Sequence, residues 1–132
     1  MKATGGIVSL VNSITPFMGS SKVVAAAAML FVGLFITMGI GTSFGTIPIL
    51  AVLYIPICLK LGFSIPSIII VLSAAAALGD AGSPASDTTL GPTAGLNADG
   101  QHNHIWDTCV PTFLIYNIPI IISALIAVLI FK

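Results

Sequence analysis

The stretch GDAGSPASDTTLGPTAGLNADGQHNH, residues 79–104, limits how the helices can be arranged, because it interrupts a chain that is apolar on both sides. It contains three of the four acidic residues, several hydroxyl side chains, two prolines and five glycines. Closely spaced Gly and Pro weaken a helix, and Ser, Asp and Thr compete for its backbone hydrogen bonds. We therefore predict that residues 79–93 are unwound chain that holds something polar.

The composition indicates an integral membrane protein. Apolar residues make up 57% of the 132 positions and charged residues 6%, whereas about 25% of residues are charged in typical soluble proteins. The formal net charge is zero and the chain has no arginine, which argues against a nucleic-acid partner. We expect a multi-pass protein of the cell inner (plasma) membrane, with the lipid bilayer as its first partner. Cys58 and Cys109 lack metal-ligand spacing and are predicted to be small core residues.

The apolar runs predict an all-α membrane fold. Residues 1–21 are expected to be an N-terminal loop or an interfacial segment. Residues 23–61 are predicted to form two helices of about 16 and 15 residues, which are short for a bilayer. A Gly/Ser/Thr tip at residues 39–46 joins them and favours a re-entrant hairpin over a pair of crossing helices. Residues 66–96 are predicted to be a discontinuous transmembrane helix, and residues 105–131 the last, uninterrupted span.

The last span carries its own polar residues. We expect Asp107 or Asn103 to cap its first turn. Tyr116 and Asn117 should face protein, because an amide that faces lipid is costly.

The lysines give a prediction of orientation. If the hairpin begins and ends on one side of the membrane, Lys22, Lys60 and Lys132 share that side. The positive-inside rule would make it cytoplasmic.

Both polar breaks offer oxygen atoms of the kind that bind a small cation. A cation at membrane depth must replace its hydration shell with carboxylate, hydroxyl and carbonyl oxygens. We predict Na⁺ at the carboxylates of Asp80 and Asp87. The candidate hydroxyl ligands are Ser83, Ser86, Thr88 and Thr89 in the second break and Thr42, Ser43 and Thr46 in the first. A dehydrated carboxylate tends to take up a proton, whereas a bound cation favours its ionised form, so cation and proton compete as an antiporter requires.

Structural roles compete with this interpretation. Asp80 and Asp87 could each cap the half-helix that follows. His102 and His104 form an HxH pair typical of metal sites, but their turn-rich surroundings favour an exposed loop.

Residues 77–80, ALGD, approach the GxGD form of an intramembrane aspartyl protease, yet position 77 is not glycine and no second aspartate lies on a neighbouring apolar helix. We therefore expect no enzyme and no cofactor, with Na⁺ and H⁺ as the transported or coupling ions.

Two motifs carry a resemblance to a known family. GIGTSFGT at residues 39–46 and GDAGSPASDTT at residues 79–89 resemble the paired motifs of the C-type Na⁺/H⁺ antiporter family, within the ion-transporter superfamily. Residues 96–119, LNADGQHNHIWDTCVPTFLIYNIP, resemble a branch that includes amino-acid, in particular histidine, permeases. C-type antiporters commonly carry a His-Cys pair where this chain has Ala81-Gly82, which favours the permease branch.

The resemblance covers the chain from about residue 22 and implies two inverted repeats that meet near the bilayer midplane. Residues 22–132 would be the C-terminal repeat, with the remaining N-terminal half of the transporter and a second copy in a homodimer as partners. The function implied is a secondary active transporter fragment that moves Na⁺ or H⁺ against a counter-ion or with a small organic substrate. The alternatives are a cation-coupled histidine permease and, in another class, a noncatalytic membrane subunit or inactive remnant. The superfamily often enters the second hairpin from outside, opposite to the lysine prediction.

Overall fold

The computed structural model describes residues 21–131. Their helices are, in order, α1 (Lys22–Ile40), α2 (Ser43–Lys60), α3 (Ile65–Asp80), α4 (Asp87–Leu96), a π-helical turn (His104–Cys109) and α5 (Val110–Ile130). No strand occurs in this range, and the apolar helices confirm the predicted all-α membrane fold. The predicted N-terminal loop or interfacial segment lies outside the described residues, apart from its last position.

Within residues 21–131, three helical stretches are long and apolar enough to cross a membrane: α1, α2 and the continuous His104–Ile130 stretch of 27 residues. Helices α1 and α2 have 19 and 18 residues, more than predicted, because the turn between them is only Gly41 and Thr42. Gly41 ends α1 with a left-handed φ of 77°, and its N–H donates to Thr37 O at 2.7 Å. A glycine at this one position lets two helices follow each other almost directly.

Helix α3 is the centre of the bundle and packs against α1, α2 and α5. Small residues let α1 and α3 approach closely, because a Cβ added at Gly33 would lie 2.5 Å from Ala75 Cβ. A Cβ added at Gly79 would lie 2.3 Å from Met38 N. Thr37 is buried in this contact and donates its hydroxyl to Ala75 O at 3.3 Å. The crossing therefore brings the end of α3 beside the end of α1.

The opposite end of the bundle gathers the lysines of the described helices. Lys22 Nζ donates to Gly62 O at 2.6 Å, which places the start of α1 next to the end of α2. Ser67 Oγ donates to Phe131 O at 2.9 Å, which places the start of α3 next to the end of α5. Lys22 and Lys60, the last residue of α2, therefore lie at the same end of the bundle. Lys132, the third lysine of the orientation prediction, lies outside the described residues, and the membrane side stays a prediction.

The unwound segment is shorter than predicted. Only residues 81–86 leave the helical conformation, and Asp87–Leu96 forms α4 although it contains Pro92 and two glycines. The prediction of unwound chain up to residue 93 was wrong because Ser86 caps the new helix, accepting the Thr88 N–H at 3.2 Å. Pro92 then removes only one backbone hydrogen bond from a helix that is already started.

Both predicted caps act on the last helix, which begins at residue 104. The Asn103 side chain accepts the N–H groups of Ile105 and Trp106, each at 3.1 Å. Asp107 Oδ2 accepts the Asn103 N–H at 2.7 Å. This reciprocal arrangement satisfies amides that the first helical turn leaves without an intrahelical partner.

Candidate functional site

The two polar breaks lie side by side. A Cβ added at Gly41, in the first break, would lie 3.0 Å from the carbonyl oxygen of Ala85 in the second. Ser83 Oγ donates to Met38 O at 3.0 Å and so fastens the second break to the end of α1. On its other side the second break touches α5. Residues 81–86 are therefore held between α1 and α5.

Gly82 makes the contact with α5. Its φ is 103°, in the region that favours glycine, and an added Cβ would lie 2.6 Å from Phe113 Cβ. Both the backbone conformation and the available space therefore require glycine here.

The Asp80 carboxylate joins the two breaks. Its Oδ2 accepts the Ser43 hydroxyl at 2.7 Å and the Ser43 N–H at 3.4 Å, both from the start of α2. Its Oδ1 accepts the Ser86 hydroxyl from the second break. Asp80 is half-buried and is the last residue of α3. It does not cap the half-helix that follows, because Ser86 does so; instead it lies at the N-terminus of α2.

Thr88 is the fourth predicted residue at this point. Its Oγ1 donates to the carbonyl oxygen of Asp80 at 2.9 Å and lies 2.9 Å from Ser86 Oγ. The structure therefore brings together a carboxylate, three hydroxyls and the Asp80 carbonyl, which accepts the Thr88 hydroxyl and the Ser83 N–H. These are oxygen ligands of the type that hard cations prefer.

The other predicted ligands lie elsewhere. Ser83 bonds to the backbone of α1, and Thr46 Oγ1 donates to Thr42 O at 2.7 Å, within its own helix start. Thr42 itself is exposed. Asp87 is also exposed, at the first position of α4, and its carboxylate accepts no hydrogen bond from residues 21–131. The geometry thus separates Asp80 from Asp87.

Thr89 has a structural role as well. Its Oγ1 donates to Ser86 O at 2.9 Å and contacts Ser83 O, so it closes the first turn of α4.

No cationic side chain of the described helices approaches Asp80. Lys60 ends α2, whereas Asp80 contacts Ser43 at its start, about 25 Å away by the helical rise. Lys22 begins α1, and Asp80 lies beyond the other end of that helix. The hydrogen-bond partners that the structure gives the carboxylate are neutral hydroxyl and amide groups. Within residues 21–131, no three His, Cys, Asp or Glu side chains gather as a metal site would require.

The two histidines are joined to the second break, which the prediction of an exposed turn missed. His104 Nε2 lies 2.9 Å from Pro84 O, and its Nδ1 lies 2.7 Å from Thr93 Oγ1. Thr93 Oγ1 donates to Thr108 Oγ1 at 3.0 Å, and Thr108 Oγ1 lies 2.7 Å from His102 Nε2. Both histidines are half-buried. This chain of hydrogen bonds fastens α4 and the π-helical turn over the break, and no local sequence signal placed the threonines between the histidines.

Two adjacent residues of α5 meet different surroundings. Asn117 is 2% exposed, as predicted, and its Nδ2 donates to Ala81 O at 3.0 Å, next to Asp80. Tyr116 is 57% exposed on the described bundle, so these helices do not enclose it, and its facing protein stays a prediction. Successive helical residues point about 100° apart, which lets only one of the two reach the break.

Fold and site together define an all-helical, multi-pass membrane protein with a carboxylate between two interrupted helices. The chain belongs to the Na⁺/H⁺ antiporter family, whose match covers residues 1–128. The match begins at residue 1, earlier than the residue 22 that the motifs predicted.

Curated relatives support this assignment. A Bacillus subtilis (strain 168) protein named "Putative amino acid transporter YuiF" is 60% identical over 127 residues, which cover 96% of this chain and 29% of that protein. An uncharacterized membrane protein of Vibrio parahaemolyticus is 61% identical over 130 residues, 98% of this chain and 30% of that protein. An uncharacterized membrane protein of Haemophilus influenzae is 57% identical over 127 residues, which cover 96% of this chain and 28% of that protein.

The chain thus spans less than a third of the length of these relatives. No solved structure matches it. The names of the family and of the relatives are those of transporters and membrane proteins, not of enzymes.

Proposed function

We propose that this chain carries the cation-binding site of a secondary active transporter, with Asp80 as the central ligand. The observation that carries the proposal is a half-buried carboxylate that joins two helix breaks and is surrounded by neutral donors. A serine hydroxyl has one donor hydrogen and two acceptor lone pairs. Ser43 and Ser86 can therefore donate to the Asp80 carboxylate, as they do in this structure. Their hydroxyls can also rotate and offer an oxygen to a Na⁺ ion bound there.

Helix polarity favours a cation at the same place. Asp80 is the last residue of α3, and the C-terminal end of a helix carries partial negative charge. A carboxylate at that end increases the negative potential, which a monovalent cation or a proton neutralises. Because either can do so, Na⁺ and H⁺ compete for Asp80, and this competition would couple their movements.

The register of the helices supports a site deep in the membrane. Contacts at Ser67–Phe131 and at Ala81–Asn117 align α3 with α5 in opposite directions. Asn117 is near the middle of the 27-residue His104–Ile130 stretch, so the break beside it lies at mid-depth if that stretch crosses the bilayer. The part of the His104–Ile130 stretch that precedes Asn117 would then extend about 20 Å beyond the break. This favours the re-entrant arrangement for α1 and α2, whose turn lies beside the break.

The second candidate is a cation-coupled amino-acid permease, with histidine as the substrate to test first. It is favoured by the 60% identity to a protein named as an amino acid transporter. In this version Na⁺ or H⁺ at Asp80 drives uptake of the organic substrate, so the same carboxylate serves both candidates.

A chimeric transporter tests the site. It is the Bacillus subtilis relative with its matching segment replaced by this chain, reconstituted in proteoliposomes. We expect Asp80→Asn to reduce cation-dependent transport at least about 100-fold, because the amide neither carries the charge nor exchanges the proton. Asp99→Asn is the matched control, since Asp99 Oδ1 only accepts the Gln101 N–H in an exposed turn. Unchanged cation-dependent transport by Asp80→Asn would overturn the proposal.

The same vesicles separate the two candidates. An antiporter releases labelled Na⁺ against an imposed pH gradient without an organic substrate. A permease accumulates labelled histidine only when a Na⁺ or H⁺ gradient is present. If the chimera with the unaltered chain does neither while the native relative transports, the noncatalytic alternative is favoured.

A further inference from the structure

The Asn117 amide has one polar atom without a partner. Its Nδ2 donates to Ala81 O at 3.0 Å, but Oδ1 is buried and accepts no hydrogen bond from the described residues. Among the buried side-chain nitrogen and oxygen atoms of residues 21–131, Oδ1 is the only one without a hydrogen-bond partner. The side chain is 2% exposed, so bulk water does not compensate for the missing bond.

A buried acceptor without a donor is unfavourable, because it has given up its hydrogen bonds to water. A leucine of similar size would avoid this loss in the apolar α5. Asn117 can be explained if a species that is absent from the protein alone binds Oδ1. That species must be small, because the surrounding side chains already cover the atom.

We propose that Asn117 is a further ligand of the cation site, contributed by α5, and that its Oδ1 coordinates the Na⁺ ion held at Asp80. This inference rests on the proposed function. The amide oxygen is a hard neutral ligand of the kind that Na⁺ and Ca²⁺ accept in place of water. The amide nitrogen of Asn117 already holds Ala81 O, the carbonyl of the residue directly after Asp80. Consecutive Cα atoms are about 3.8 Å apart, so the amide lies beside the backbone that carries the carboxylate.

With Asn117 the site receives side chains from three helices and from the break. Ser43 comes from α2, Asp80 from α3, Ser86 from the break itself and Asn117 from α5. Oδ1 adds an oxygen ligand without adding charge to the carboxylate and the three hydroxyls gathered there.

Labelled Na⁺ binding to the chimeric transporter, measured by scintillation proximity, tests the proposal. We expect Asn117→Leu to weaken Na⁺ binding about tenfold or more, since an oxygen ligand is lost. Asn117→Asp keeps an oxygen and adds charge while losing the Ala81 hydrogen bond, so Na⁺ binding should be retained or strengthened. Tyr116→Phe is the matched control, because Tyr116 is the exposed neighbour on the same helix.

The ratio of Li⁺ to Na⁺ affinity is the readout that a structural role would not change. We expect Asn117→Asp to shift this ratio, because a carboxylate replaces a neutral ligand on the ion. If Asn117→Leu and Asn117→Asp change only thermal stability, with Na⁺ affinity and the Li⁺/Na⁺ ratio unaltered, Asn117 merely holds Ala81 or a water molecule, and the inference is wrong.

Two further outcomes separate this inference from the proposed function. If the unaltered chimera binds no Na⁺, or if Asp80→Asn binds it normally, the proposed function fails and the Asn117 role falls with it. If Asp80→Asn abolishes binding and both Asn117 variants bind as the unaltered chimera does, only the Asn117 role fails. Should Asn117→Leu not fold, the Li⁺/Na⁺ affinity ratio of Asn117→Asp decides alone: a shifted ratio supports the oxygen-ligand role, and an unaltered ratio contradicts it.

Discussion

Asp80 and Asp87 are seven positions apart, yet the helix break between them gives the two carboxylates different surroundings. Asp80 ends α3, is half-buried and accepts hydrogen bonds from Ser43 and Ser86. Asp87 begins α4, is exposed and accepts none from the described helices. A break in a helix thus creates two ends that differ in exposure as well as in polarity.

The polarity explains why the two residues suit different roles. A carboxylate is unfavourable at the C-terminal end of a helix and favourable at the N-terminal end. Asp87 therefore stabilises α4 by its position alone. Asp80 requires compensation, which the α2 N-terminus and two hydroxyls supply in part, and which a bound cation would complete. The difference favours a structural role for Asp87 and supports the cation-binding role that we propose for Asp80.

The largest loss of stability should come from a substitution in residues 81–86, the segment between the two aspartates. Gly82→Ala places a Cβ 2.6 Å from Phe113 Cβ in a residue whose φ is 103°, and we expect it to lower the free energy of unfolding by about 3 kcal/mol or more. Gly95→Ala is the matched control, since Gly95 lies in α4 and nothing lies within 4 Å of its added Cβ. That helical position should gain about 0.5–1 kcal/mol. Circular dichroism during thermal unfolding in detergent measures both, and equal effects would contradict the close contact with α5.

An intermediate loss of stability is expected for the two serines that donate to the Asp80 carboxylate, and the loss should be larger for Ser86 than for Ser43. Ser86 donates to Asp80 and also caps α4 through the Thr88 N–H, whereas the Ser43 side chain only donates to the carboxylate. We expect Ser86→Ala to cost about 2 kcal/mol and Ser43→Ala about 1 kcal/mol. Thermal unfolding of the two variants gives the comparison. A larger loss for Ser43→Ala would show that the cap at Ser86 contributes little.

The smallest effect is expected at Asp87. Asp87→Asn should change Na⁺ affinity of the chimeric transporter less than about threefold and should cost α4 roughly 0.5 kcal/mol, the value of a charge at a helix N-terminus. Labelled Na⁺ binding and thermal unfolding measure these two quantities. A tenfold loss of affinity would make Asp87 a ligand in the complete transporter and would restore the sequence prediction that paired it with Asp80.

The membrane character, the apolar helices and the place of the break could all be predicted from the amino-acid sequence. These depend on local properties: the length of apolar runs, the positions of Gly and Pro, and capping residues such as Asn103. The extent of unwinding was overestimated for a local reason as well, because the Ser86 cap offsets the weak helix propensity of residues 87–93.

Which polar groups meet at the break could not be predicted from the sequence, because it depends on how the helices pack. Ser43, Asn117 and the threonines between the two histidines reach the break through contacts that are distant in sequence. For Ser43 the contact depends on the close crossing of α1 and α3, which Gly33 and Gly79 permit because they have no side chain. Helical periodicity shows which residues share a face, but the position of one helix along another is set by packing, and no single helix contains that information.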